Sequence, residues 1–230
     1  MSTEVTTQPR KRSKGIPLSY VVAIIPVAAA LNIVGGYINS VLKLPIFLDM
    51  IGTMVVAVIL GPWWGALVGA ITNIVNSFIS GPISLPFAVV NVVGALVWGY
   101  ANKFGWMKKN WSFFLVNVLV AFVCSIFAVP IYVFIFGGAT GHFSDVMTAA
   151  FLAMGQNLVV SVFSSNILVS LADKIISGYV GLAIIEALPE NLTTNARLPK
   201  SEGLKKIIIP VVGIIIGVAI ILVFLALSSK

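Results

Sequence analysis

A chain of 230 residues with one cysteine, one histidine and seven acidic side chains is short of most groups that carry enzyme chemistry. The single thiol, Cys124, excludes an intramolecular disulfide and a thiolate metal cluster. It lies inside an apolar run, where a cysteine behaves as a small buried hydrophobe. The single imidazole, His142, excludes a multi-histidine metal site, and the sequence contains no HExxH motif, Ser/His/Asp set or Walker loop. Gly61, Gly65 and Gly69 do not form a phosphate cradle, since no Lys-Ser/Thr follows them and the stretch is apolar. We therefore expect neither a catalytic site nor a metal or organic cofactor. Charge is scarce as well: 9% of residues are charged and 59% hydrophobic, with a mean hydropathy of +1.09. That composition cannot cover a soluble globule with polar surface. Segments of roughly ten alternating residues, which a membrane β-barrel requires, are missing too.

What is present is a succession of apolar runs of roughly 20 residues, the length an α-helix needs to cross about 30 Å of hydrocarbon. The expected fold is an all-α integral membrane bundle with no room for a soluble domain. The net charge of +7 sits in short clusters beside apolar runs, where topology signals belong, and not on a face suited to nucleic acid. Arg10, Lys11, Arg12 and Lys14 make residues 1–15 a basic tail, and no small-residue cleavage site follows it, so the reading is a retained cytoplasmic N-terminus.

The first span, from Pro17 to about Ser40, carries Ala28, Asn32, Gly36 and Ser40 at intervals of four. Small residues at this spacing admit a close helix neighbour, either within the chain or on a partner protein. A short second span, Leu48 to Leu60, stops at Gly61-Pro62, which implies a thinned bilayer or burial inside the bundle. The third, Trp63 to about Ser80, presents Gly61, Gly65 and Gly69 as a packing groove. A fourth opens at Phe87 and Asn91 and ends near Asn102. Lys103, Lys108 and Lys109 then return the chain to the cytoplasmic side, in agreement with the first basic cluster. The fifth, Trp111 to Phe136 with Pro130, leads to the flexible loop GGATGHFSD. Beyond it, the run Val146 to Leu171 either crosses fully, or is re-entrant or lies partly as an outer lid, and a further run follows Asp173-Lys174. Only the second alternative puts the polar linker 193–206 on the cytoplasmic side, as its lysines prefer. The last span, Ile207 to Leu227 within 207–230, has no polar residue and reads as an anchor.

Against this background Asn73, Asn76, Asn91, Gln156, Asn157 and Asn166 stand out, with Asp49 and the Asp173-Lys174 pair. A polar side chain in hydrocarbon is costly unless it is paired or lines a cavity. Any one amide is as well explained by a helix-to-helix hydrogen bond. Several near the outer level, with Phe87, Trp64, Trp98 and Trp106 at hand, favour a pocket for a small organic solute. The chain lacks two matching halves with interrupted helices, so a self-sufficient secondary transporter is not indicated.

The segments LPIFLDMIGTMVVAVILGPWWGALVGAITN, GPISLPFAVVN, FGGATGHFSD, MGQNLVVSVFSSN and LADKIISGYVGLAIIEALPENL, in this order and spacing, resemble the substrate-binding S component of energy-coupling factor (ECF) transporters, the vitamin-uptake branch of the ABC systems. The resemblance covers about Ile16 to Leu192. It implies a six-helix membrane domain over 16–192, here with one extra C-terminal transmembrane helix. It further implies uptake of a vitamin or related micronutrient, with a transmembrane coupling protein and two cytoplasmic ATPases as partners that hydrolyse the ATP. Substrate contacts are expected at Asp49, Asn73, Asn76, Phe87, Asn91, His142, Gln156 and Asn157. Docking on the coupling protein is expected at Ala28, Asn32 and Gly36, although Asn32 stands where many members have a second alanine. The alternative is a membrane module that senses a small molecule or has a structural role, without transporting anything.

Overall fold

The computed structural model describes residues 16–228, so the expected basic tail, with Arg10, Lys11, Arg12 and Lys14, lies outside the described residues. Eight α-helices and no strand occur among them. They are α1 (Leu18–Leu42), α2 (Ile51–Ile59), α3 (Pro62–Ile79), α4 (Ala88–Phe104), α5 (Asn110–Pro130), α6 (Ser144–Ala153), α7 (Leu158–Ala187) and α8 (Lys205–Ser228). A 3₁₀ turn, Pro82–Ser84, joins α3 to α4, and α5 continues as a π-helical turn, Ile131–Ile135. Four helices are long and apolar enough to cross a membrane, as a multi-pass protein requires: α1, α5 with its π turn, α7, and α8 over Lys205–Val223. α3 and α4, of 18 and 17 residues, each extend about 26 Å at the α-helical rise.

One expected span is settled and one is corrected. α2 has only nine residues, all of them buried, so of the two alternatives for the short second run, burial inside the bundle is the one found. The break expected at Asp173-Lys174 does not occur, because α7 runs through both residues without interruption. The chain turns earlier, at residues 154–157. There Gly155 adopts φ +84° and the Asn157 side chain caps α7 by accepting from Val160 N at 2.9 Å. The charges are tolerated inside α7 because Lys174 Nζ pairs with Asp173, whose other oxygen accepts from the backbone of Phe47 and Leu48.

The linker after α7 folds across the same end of the bundle as the 103–109 connector. Asn195 donates to the carbonyl of Ile59 at 3.0 Å, and Asn102 donates to the carbonyl of Asn195 at 3.0 Å. Arg197 N donates to Asn102 Oδ1 at 2.7 Å, and its guanidinium to the Lys103 carbonyl at 2.9 Å. Of the two parities left open, the one that joins the linker to the basic connector is therefore found. Its cause is the shortness of α6, at ten residues, followed by one full crossing in α7.

Gly61, with φ +115°, supplies the turn before Pro62 at the first position of α3. Gly65 and Gly69 bring α3 against Ala57 of α2 and Asn91 of α4, as their spacing implied. α8 packs on α7, where added side-chain carbons at Gly213 and Gly217 would meet Tyr179 and Ile176.

The face of α1 expected to receive a partner is turned inward. Ala28 and Asn32 are buried, and Gly36 faces Asp49 and Asn76. Asn32 donates to the hydroxyls of Thr53 (2.8 Å) and Thr72 (3.0 Å), while its Oδ1 accepts from Gly52 N (2.6 Å) and Thr53 N (3.4 Å). Helix N-termini leave backbone donors without partners. Here α1 supplies the cap of α2, which has none of its own. A Cβ at Gly52 would run into the Ala28 carbonyl, so only glycine permits this approach. The within-chain alternative for the Ala28, Asn32 and Gly36 face is thus the one observed.

Replacing Asn32 by Ala should destabilise the bundle by about 3 kcal/mol, since it strands buried donors and hydroxyls. Gly52→Ala should prevent accumulation of folded protein. Thermal unfolding in detergent and size-exclusion profiles check both; a wild-type melting temperature for Asn32→Ala would contradict the capping role.

Candidate functional site

At the end opposite the linker the helices open onto a cavity of about 280 Å³. Each wall is one stripe of a helix. α3 contributes Asn73, Asn76 and Ser80; the start of α4 contributes Phe87, Val90 and Asn91; α5 with its π turn contributes Cys124, Ala128 and Tyr132; α7 contributes Asn166, Ser170 and Lys174. These spacings of three and four residues put each set on one helical face. The non-helical segment before α2 adds Phe47 and Asp49, the 3₁₀ turn adds Ile83 and Ser84, and the loop after α5 closes over with Thr140, Gly141 and His142.

The chain therefore brings Asp49, Asn73, Asn76, Phe87, Asn91 and His142 together on one cavity. Gln156 and Asn157 are not among them. Both are exposed, and Asn157 is occupied in capping α7. The expected tryptophans are elsewhere too: Trp64 and Trp106 are exposed, and Trp98 is wholly buried, donating to Asn117 at 2.8 Å. Phe47, Tyr132, Ser170 and Lys174 also line the cavity and were not among the expected solute contacts. The sequence did carry a signal for two of them, the polar stripe Asn166, Ser170 and Lys174 at intervals of four in an apolar helix.

Inside the cavity Asn91 donates to Asp49 at 3.0 Å, and Asn73 donates back to the Gly69 carbonyl at 3.1 Å. The Lys174 ammonium stands 5.7 Å from the centre of the Phe47 ring. Phe87 meets Tyr132 edge-on at 4.9 Å and stacks with Phe136 at 5.8 Å.

His142 locks the covering loop. Ser144 N, which can only donate, points at Nδ1 from 3.1 Å, so Nδ1 is the acceptor and Nε2 carries the proton. Nε2 lies 3.2 Å from the Ile46 carbonyl and 3.0 Å from the Asn39 amide, whose oxygen otherwise has no partner. A half-turn of that amide presents its oxygen to Nε2 and satisfies both groups. The Phe47 ring lies against the imidazole at 4.8 Å. Nearby, Asp145 Oδ2 accepts from Thr140 N (2.8 Å) and Gly141 N (2.6 Å), which fixes the loop's turn.

Compared with family models, curated proteins and solved structures, the chain matches nothing. What the site can do must be argued from its geometry. It contains no cluster of histidine, cysteine and carboxylates fit for a metal among the described residues. It offers a cleft of small-solute size with amides, one carboxylate, one ammonium and aromatic rings on its walls.

Burial pushes the His142 imidazole below its ordinary value of 6.5, so the closed loop holds it neutral. An opened loop regains the ordinary value and takes up a proton first. Stability of closure is therefore full above about pH 6.5 and declines as pH falls from there toward the lowered folded value. Hydrogen exchange of residues 137–145 should speed up between pH 7.5 and 5.5, after correction for intrinsic exchange. His142→Gln should abolish that dependence, and an unchanged pH profile in this variant would contradict the assignment.

Proposed function

We propose that this chain is the solute-binding membrane subunit of an ECF-type importer, capturing a vitamin-like micronutrient at the cavity and relying on partner subunits for energy. The observation that carries the reading is the cavity itself: a cleft inside an apolar bundle with polar and aromatic groups on its walls, opening at one end, where His142 ties the covering loop to Asn39 and to the Ile46 carbonyl. Polar groups gathered from seven separate segments into one such space are more than helix-to-helix glue requires.

The positive-inside rule supports the orientation. Lys103, Lys108, Lys109, Arg197, Lys205 and Lys206 all belong to segments at the end away from the cavity, which on this reading is cytoplasmic, so the cavity opens outward. The domain over 16–192 then counts six membrane helices when α6 is grouped with the outer cap, and α8 is the additional one. α8 contributes nothing to the cavity lining, in keeping with an anchor.

The sequence holds no nucleotide-binding loop, so ATP is hydrolysed by two cytoplasmic ATPases that act through a transmembrane coupling protein. That protein does not dock on Ala28, Asn32 and Gly36, which α2 and α3 already occupy. A docking surface must use faces that the bundle leaves exposed.

Affinity purification of the full chain from its native membrane tests the assignment. Co-recovery of a membrane coupling protein and ATPases is expected, together with a bound small solute detectable by mass spectrometry. Replacing Asn73 and Asn91 together by Ala should lower solute occupancy about tenfold or more, as loss of two buried hydrogen-bonding groups implies. Recovery of solute with no partner would sink the importer and leave a sensing module. Unchanged occupancy in the double variant would remove the cavity from the account.

A further inference from the structure

Resting on the reading that the cavity is a solute site, we propose that its ligand is a small organic cation, with one positive nitrogen carried on a ring or short apolar body. The first ground is the balance of charge. Asp49 and Lys174 both line the space, and Asp173 lies directly behind Lys174 as its buried ion-pair partner. Two carboxylates thus face one ammonium, and a cation restores neutrality where water cannot screen the excess. His142 does not add a charge, because its Nδ1 already accepts from Ser144 N.

The second ground is that the lysine is already engaged. Asp173 fixes it in place and is itself fixed by the Phe47 and Leu48 amides. A ligand carboxylate or phosphate at Lys174 would have to compete with that buried pair, and would also face Asp49. Third, two of the four lining amides present their acceptor ends, whereas the Asn166 oxygen already accepts from Ser170. Asn73 directs its NH₂ to Gly69 and Asn91 directs its NH₂ to Asp49, which leaves the carbonyl oxygens for a donor. Fourth, the rings of Phe47, Phe87 and Tyr132 line the same space, and one cation, the Lys174 ammonium, already stands 5.7 Å from the centre of the Phe47 ring.

Cys124 supplies the test, since it lines the cavity and is the chain's only cysteine. The purified full chain is treated with two thiol reagents of similar size, the trimethylammonium-ethyl and the sulfonato-ethyl methanethiosulfonates. The ratio of their rates at Cys124 is divided by the ratio measured on the denatured chain, which removes their intrinsic difference. The cationic reagent should be favoured about tenfold or more, the range expected when a low-dielectric cleft concentrates ions of one sign. Asp49→Asn should bring the ratio toward one, and phenyltrimethylammonium should slow modification of the wild-type chain. Equal normalised rates, or faster reaction with the sulfonate, would overturn the cation assignment and leave a solute cavity of another preference. Cys124 is only 1% exposed, so if neither reagent modifies the folded chain the decision passes to direct binding of phenyltrimethylammonium to the purified wild-type chain, whose absence overturns the cation assignment and leaves the solute reading to the copurification experiment. The wild-type ratio decides the matter even if Asp49→Asn does not fold.

Discussion

The fold depends on satisfying the backbone of one non-helical stretch held inside an apolar bundle. Residues 44–50 leave α1 through Lys43 in a left-handed conformation, reach α2 without forming a helix, and are buried or half-buried at every position after the turn. Ile46 packs with Ala172 and Ile176, halfway along α7. Backbone at that depth survives only where protein groups take the place of water as hydrogen-bond partners. Each donor left alone would cost roughly 1–3 kcal/mol. Side chains from opposite sides carry this requirement for the stretch and for the first turn of α2 that it leads into, with His142 at the Ile46 carbonyl. Asp173 of α7 takes the Phe47 and Leu48 amides, and Asn32 of α1 takes those of Gly52 and Thr53.

The site follows from that arrangement. A segment that is not a helix occupies less width than one, so space remains between it and the ends of α3, α4, α5 and α7. Asp49 and Phe47 project into that space, and the polar stripes of the four helices face them. The ion pair that holds the segment is also the pair that puts an ammonium on the cavity wall. Structural support and the cavity wall are therefore coupled: a change at Asp173 acts on the position of Lys174 in the cavity as well as on the stability of the bundle.

Composition alone made the helical membrane class legible, because 59% hydrophobic residues in runs near 20 long admit few other folds. Six of the eight expected solute contacts share one cavity for a simple reason: an amide or carboxylate at the end of an apolar span needs a polar neighbour, and those spans meet at one end. Gln156 and Asn157 fail because they sit at a turn, where water and the α7 cap satisfy them. Lys174 was missed because adjacent charges read as a helix boundary, whereas their pairing with each other and with a distant backbone lets the helix continue. That partner lies more than a hundred residues away, and nothing local announces it. The same holds for Asn32, whose small-residue spacing fits an inward and an outward face equally well.

Hydrogen exchange along residues 44–56 of the intact chain measures the central claim directly. If Asp173 and Asn32 hold this stretch, its amides exchange as slowly as those in the middle of α7, and Asp173→Ala speeds them selectively while α4 stays protected. If 44–50 instead exchanges as fast as the exposed linker 188–204 in the wild-type chain, the stretch is not held inside the bundle, and both the fold account and the cavity built on it are wrong.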